Sequence, residues 1–438
     1  MHLIRPLVLA VLLLVAMPAT VWSQTGSFVL RPGTPEATSF NAERLQRIDR
    51  AVNEYVQKGW LPGAVALIVR NGRIVYHKGF GYDDISRKSP LAKDAIFRIA
   101  SQTKAITSVA VMMLYEEGKF RLDDPVSQYI PEFKGLKVLD KFNDRDSTYT
   151  TVAAKKAVTI RHLLSHTSGI GYPVIGSPTA NALYAKAGLH AGLGVPNGKL
   201  VDQMKILAQQ PLLHQPGERW TYGLNTDLLG YLVEVVSGMP LDQFFRTRIF
   251  DPLGMKDTWF YLPPDRRNRL STLYTEEAGK GVRKMSEVRK DMDVNYPNTK
   301  GTYFSGGAGL SSTALDYATF LQMLLNGGTY NGKQLLSRAT VRMMTSNQIG
   351  ALSLGDQKFG LGFGIFTAES AAQTPVSEGS FQWGGYFGTS YWADPREGIV
   401  ALFLTQMVPN SHGEIGDKFK TLVYQALASE TTTVVSQK

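Results

Sequence analysis

Residues Ala105 to Leu114 form an almost unbroken apolar run, opened by Ser101-Gln-Thr-Lys104 and ended by Glu116, Glu117 and Gly118. A helix that is apolar on every side has no face to give to solvent, so it belongs inside a large core. The chain has 438 residues, enough for one large or two medium domains around such a helix. Ser101 and Lys104 would share one helix face, about one turn apart. The helix N-terminus adds free N–H groups and a positive field. A hydroxyl, an amine and anion-binding amides therefore converge, an arrangement for covalent catalysis that needs no histidine. The bland reading is a helix cap at Ser101 beside a solvated or salt-bridged lysine. The apolar setting weighs against it, because a cation there is costly without a partner.

Met1–Ser23 has the makeup of a secretory leader: Arg5, then apolar Leu7–Ala16, then small residues, with cleavage expected before Gln24. The apolar run is short for a bilayer span, and no later segment is long and apolar enough, so no transmembrane segment is expected after leader removal. The chain contains no cysteine. An exported protein without disulfides must rely on core burial, and a lipoprotein anchor, which requires cysteine, is excluded. The expected location is the periplasm or the exterior. Net charge is +10. The pairs Arg266-Arg267, Arg283-Lys284 and Arg289-Lys290 fall in a polar, loop-like stretch and read as solvated surface. Without aromatic-basic interleaving or a reader motif, nucleic acid is not an expected partner.

Along the chain, Phe40–Gln57 has helical spacing. Ala64–Arg70 and Arg73–Phe80 are apolar runs joined by Asn71-Gly72, a strong hairpin signal. From about 130 to 300 strand signals thin out, and Thr159–Ser165, Val201–Gln209, Thr226–Val236 and Leu241–Ile249 read as helices. Gly301–Gly309 is glycine-rich, and Thr313–Leu325 is a helix closed by Asn326-Gly327-Gly328. Ser380–Trp383, Thr389–Ala393 and Ile399–Leu404 are strand-like, and Ile415–Ala428 is a closing helix. Strands at both ends around a helical middle predict one antiparallel sheet built from N- and C-terminal pieces. The expected division is a leader at 1–23, a discontinuous α/β domain from 24–130 and 301–438, and a mainly helical domain at 131–300.

Two further segments can carry chemistry. Tyr222 sits in a loop running into a helix, and a phenol near an ammonium can relay a proton. Gln382-Trp383-Gly384-Gly385 places two glycines in an apparent strand, which requires a bulge or a close backbone approach. Other signals carry less. Gly327–Lys333 fits a phosphate loop through its lysine, but Gln334 replaces the required Ser/Thr and a helix precedes it, so a cap and turn are expected. His162 and His166 are four apart yet lack a third ligand and the metalloprotease glutamate, so they read as structural. No metal and no cofactor is expected. No Gly-x-Ser-x-Gly occurs, which disfavours a nucleophile-elbow hydrolase.

Taken in order, these segments resemble the serine β-lactamase and penicillin-recognising superfamily, nearest to class C β-lactamases and family VIII carboxylesterases. The resemblance runs from about Leu45 to Leu427. It rests on Phe97-Arg-Ile-Ala-Ser-Gln-Thr-Lys104, Leu122-Asp-Asp-Pro125, Ile160-Arg-His-Leu-Leu-Ser-His-Thr-Ser-Gly169, Pro252-Leu-Gly-Met255 and Gly306-Gly-Ala-Gly-Leu-Ser-Ser-Thr313. It implies a three-layer α/β sandwich with an antiparallel sheet, a helical domain and a cleft between them. It implies Ser101 as nucleophile, Lys104 as its activating neighbour and Tyr222 as partner base and acid. The oxyanion hole would be the backbone N–H groups of Ser101 and Tyr386. Trp383, Gly384 and Gly385 would lie along the substrate.

Two departures bear on substrate. Trp383 stands where β-lactamases and peptidases of this superfamily carry lysine or histidine facing a substrate carboxylate. Leu224 stands where an amide-holding asparagine is usual, and Asn225, one residue late, is the remaining candidate for that contact. Each loss would cost about 1.5–3 kcal/mol against charged or amide substrates and nothing against plain esters. The expected activity is ester hydrolysis through a Ser101 acyl-enzyme on a small-molecule ester. The rivals are a class C-type β-lactamase or D-Ala-D-Ala carboxypeptidase, and a penicillin-binding sensor without turnover.

Overall fold

Asn71 and Gly72 both adopt positive φ, 49° and 73°, and so form the primed turn that joins the strands Gly63–Arg70 and Arg73–Asp84. The computed structural model that contains this hairpin describes residues 28–289 and 292–428. The expected leader, Met1–Ser23, lies outside the described residues. Gly63–Arg70 pairs on its other side with Ile399–Leu404, which pairs with Thr389–Asp394 and then Phe381–Gly385, all antiparallel. Short strands at Gly364–Ile365 and Lys358–Phe359 extend that edge, and Arg31–Pro32 joins the far edge in parallel, completing a nine-stranded sheet with Ser89–Pro90. N- and C-terminal segments thus meet at the middle of one sheet.

Strand periodicity divides the core in two. Ala64, Ala66, Ile68, Ala401 and Phe403 face a cluster with Trp392 and Phe419. The helices Ala42–Gln57 and Ile415–Gln425 close that face. Asn41 caps the first of these by accepting the Arg44 N–H at 2.8 Å. Val65, Leu67, Val69, Leu402 and Leu404 face the larger cluster, with Phe320 of the helix Ala314–Leu325. The result is the three-layer α/β sandwich. The apolar helix Thr103–Glu116, buried from Thr103 through Leu114, packs on Asn225–Ser237 and ties the sandwich to the helical segments.

The stretch 131–300 differs from expectation in containing two hairpins, Lys137–Phe142 with Tyr149–Ala153 and Tyr274–Glu277 with Gly281–Lys284. Tyr149–Ala153 is exposed at every residue, so it lacks the inside-outside alternation by which a half-buried strand is read. The expected helix Leu241–Ile249 is α-helical over Leu241–Phe245 and then widens into a π-turn at Arg246–Phe250.

Trp392 anchors the outer layer. It is 1% exposed, its indole N–H donates to Tyr424 at 3.1 Å, and Tyr424 donates to the buried Asp394 carboxylate at 2.7 Å. Trp392→Ala leaves a cavity and strands these partners, so it is expected to cost about 3–5 kcal/mol. Urea unfolding checks this, and a loss under about 1 kcal/mol would contradict the packing account.

Candidate active site

Ser101 lies in a single 3₁₀ turn, Ala100–Gln102, immediately before the helix Thr103–Glu116, rather than inside that helix's first turn. Ala100 holds φ at 44°, a left-handed conformation that costs an alanine about 1–3 kcal/mol. Such strain marks a place the surrounding structure over-determines, and here it sets the position of the next residue, Ser101.

Lys104 is 2% exposed. Its ammonium donates to the Gly307 carbonyl at 2.7 Å, to the Tyr172 hydroxyl at 2.8 Å and to Ser101 Oγ at 3.3 Å. An ammonium has three protons to give, so the buried cation is fully satisfied. It also lies 4.7 Å from the centroid of the Tyr222 ring and 5.3 Å from that of Tyr172. The Tyr222 hydroxyl takes the Trp383 indole N–H at 3.3 Å. Gly223 places its Cα where a Cβ would sit 2.0 Å from the Ile170 carbonyl, so only glycine lets the Tyr222 loop lie this close.

The paired glycines after Trp383 have distinct surroundings. A Cβ on Gly385 would lie 2.4 Å from the Ile99 carbonyl, so this strand presses against the turn that carries Ser101. At Gly384 the nearest atom to such a Cβ is the Thr389 carbonyl at 3.3 Å, and the residue borders the cleft. The close backbone approach anticipated for a glycine pair is therefore made by Gly385 alone.

A cavity of about 890 Å³ is bordered by Ser101, Tyr172, Tyr222, Trp383, Gly384 and Tyr386, with Ile175, Leu189, Leu193, Met285, Met292 and Val408 among its apolar walls. Thr275, His190, Gln382 and Arg289 add polar groups to these walls, and such a mixed lining suits a small-molecule site. Ser101, Tyr222, Trp383, Gly384 and Tyr386 share it directly, while Lys104 and Gly385 stand behind.

Asn225 does not belong there, which corrects its expected place against the substrate. It is fully buried, donates to His166 Nδ1 at 2.9 Å and to the Ile170 carbonyl at 3.4 Å, and accepts from the Ser168 hydroxyl. Its amide is spent on holding the loop behind Tyr222. His166 is likewise structural: burial first, then the Lys104 ammonium, lowers its imidazole well below the usual value. His162 completes a capping box with Thr159 and is pulled down to about 4 chiefly by burial. Among the described residues, no group of three or more His, Cys, Asp or Glu is placed to hold a metal ion, and no helix is long and apolar enough to cross a membrane.

Tyr172 is the site residue that sequence reading does not single out. Burial first, then neighbouring Tyr222 and Asp227, raises its phenol well above the usual value. It stays protonated while accepting from Lys104. The available signal was its position three residues after Gly169, closing the Ser-His-Thr-Ser-Gly landmark.

A strained serine beside a buried lysine, two phenols and a partly apolar cavity that Arg289 also borders describes a serine hydrolase of the penicillin-recognising fold. Residues 48–425 match the model of the Beta-lactamase family, and the chain belongs to that family. It is 31% identical over 390 residues to "Esterase EstB" of Burkholderia gladioli, covering 85% of this chain and 93% of the relative. It is 30% identical over 418 residues to a "Putative D-alanyl-D-alanine carboxypeptidase" of Escherichia coli (strain K12), covering 90% and 88%. Among solved structures it resembles "EstCE1, a hydrolase with promiscuous acyltransferase activity", with a TM-score of 0.72, 29% identity, and coverage of 87% and 99%.

Proposed function

We propose that this protein is an exported carboxylesterase that cleaves uncharged esters through an acyl-enzyme on Ser101. The observation that carries the reading is Trp383. A neutral indole borders the cavity with Ser101 and hydrogen-bonds Tyr222, in the position where β-lactam- and peptide-directed relatives would carry a cation. With the Asn225 amide buried and occupied, the usual holders of a substrate carboxylate and amide are both missing from their usual places, and the arginine that borders the cavity, Arg289, comes from a different segment.

In the acylation step, the Ser101 oxygen bonds to the ester carbonyl carbon as its proton passes to the Lys104–Tyr222 pair. The carbonyl oxygen gains the charge, held by the backbone N–H groups of Ser101 and Tyr386, a contribution of roughly 3–4 kcal/mol per donor. The carbon–alkoxy bond then breaks, and the departing alcohol takes a proton from Tyr222. Water repeats the sequence on the acyl-enzyme, losing its proton to the same pair, and Ser101 leaves with a proton restored. The Tyr222 hydroxyl accepts the Trp383 indole N–H, and its ring lies against the Lys104 ammonium in the cavity that Ser101 borders. Export rests on the Met1–Ser23 leader, which directs the protein to the periplasm or beyond.

The test compares p-nitrophenyl butyrate with nitrocefin on the mature protein. The kcat/KM for the ester is expected to exceed that for the β-lactam by at least about tenfold, the value of one missing charged contact. A larger kcat/KM for nitrocefin would replace this reading with a β-lactamase or peptidase. The similarity to a putative D-alanyl-D-alanine carboxypeptidase makes that the specific competitor.

A further inference from the structure

The three acceptors of the Lys104 ammonium, Ser101 Oγ, the Tyr172 hydroxyl and the Gly307 carbonyl, are all neutral. A buried cation on neutral acceptors still lacks a counter-charge, and removing that deficit takes a carboxylate nearby. Asp227, in the first turn of the helix Asn225–Ser237, is wholly buried on the far side of Gly307. Its Oδ1 accepts the Ser305 hydroxyl at 2.6 Å. Ser305 Oγ in turn accepts the Ala308 N–H at 3.0 Å. The carbonyl of that same Gly307–Ala308 peptide is the one that accepts Lys104 at 2.7 Å. Carboxylate, hydroxyl, peptide and ammonium thus form one chain in which every dipole points the same way, and such chains polarise each member.

Two observations show how closely the chain packs around this carboxyl group. Asp227 Oδ2 is buried without a hydrogen-bond partner. A Cβ on residue 307 would lie 2.3 Å from that oxygen, so glycine is needed for the approach. The Gly307 N–H adds a second, longer bond to Oδ1 at 3.3 Å.

We propose that Asp227 is a positioning residue for Lys104, acting through the Ser305 hydroxyl and the Gly307–Ala308 peptide to hold the Lys104 Nζ aimed at Ser101 and against the Tyr222 ring. This rests on Lys104 being the group that activates Ser101. Burial raises the carboxyl above its usual value overall, and the Ser305 hydrogen bond and the Lys104 charge offset only part of that rise. The other titratable groups facing Lys104 are Tyr172, Tyr222 and His166, and Tyr303 faces Asp227. Burial keeps His166, Tyr172 and Tyr303 neutral, so they add no competing fixed charge.

Asp227→Asn keeps an acceptor for Ser305 and deletes the charge. The measurement is the pH dependence of Ser101 labelling by a fluorophosphonate, beside steady-state p-nitrophenyl butyrate hydrolysis. Losing the negative charge behind the Ser101–Lys104–Tyr222 cluster changes the field there, so the inflection of the labelling profile is expected to move to lower pH. The kcat is expected to fall about 10- to 100-fold with KM little changed. Ser305→Ala interrupts the chain with the carboxylate in place and should move the inflection the same way. It decides the matter alone if Asp227→Asn does not fold. A merely structural Asp227 would lower stability without moving the inflection. Folded variants that keep the wild-type inflection overturn the relay while leaving the Ser101 reading intact. A wild-type protein that does not label at Ser101 overturns both.

Discussion

Ser101→Ala is expected to lower kcat for p-nitrophenyl butyrate by at least about four orders of magnitude, the scale of removing a nucleophile that works as part of a unit. The residual rate would come from the cavity and the oxyanion donors, which do not need the hydroxyl. Stability should stay within about 0.5–1 kcal/mol of the wild type, since the hydroxyl's contact is a 3.3 Å bond from Lys104 and the site is only partly buried. The variant should therefore unfold at nearly the wild-type urea concentration while being catalytically silent. Near-wild-type turnover in a folded Ser101→Ala protein would remove the acyl-enzyme from the account, because no other serine in the cavity lining could take its place.

Lys104→Met carries the second-largest effect. The replacement keeps the length and apolar stem and deletes the ammonium. Loss of general-base assistance is expected to lower kcat by at least about two orders of magnitude, and Tyr222→Phe should do the same. The effect on stability has opposing parts. Removing a buried cation is favourable, whereas the Gly307 carbonyl and the Tyr172 hydroxyl each lose a donor, at about 1–3 kcal/mol per stranded group. The two largely offset, so the urea midpoint should move far less than kcat. Binding should be spared as well, because Lys104 stands behind the cavity wall. A variant with KM strongly raised and kcat intact would mean that Lys104 holds the substrate rather than activates the serine.

Some of this architecture is legible in the chain because burial leaves a pattern. The run after Lys104 announces a helix enclosed on all sides, and Thr103–Glu116 is one. Asn71-Gly72 announces a tight hairpin, and both residues adopt the left-handed conformation it needs. The strand Tyr149–Ala153 leaves no such pattern, since all five of its residues are exposed. At the site, Ser101, Lys104 and Tyr222 are readable because the spacing or the motif names them. Tyr172 and Asp227 are placed by contacts that only the folded chain creates: Tyr172 meets Lys104 across 68 positions of sequence, and Asp227 meets Ser305 across 78. Asn225 misleads for the opposite reason. Its neighbours in sequence suggest a substrate contact, yet the start of the helix Asn225–Ser237 turns its side chain inward, onto His166 and Ser168. Sequence adjacency to a motif fixes which residues are near the site, but the backbone decides which of them face it.

The most direct measurement is intact-mass spectrometry of the mature protein after reaction with a slowly hydrolysed activated ester, followed by peptide mapping of the adduct. One acyl group per chain is expected, carried by the peptide containing Ser101, and none in Ser101→Ala. An adduct on another residue, or steady turnover with Ser101 never modified, would contradict it.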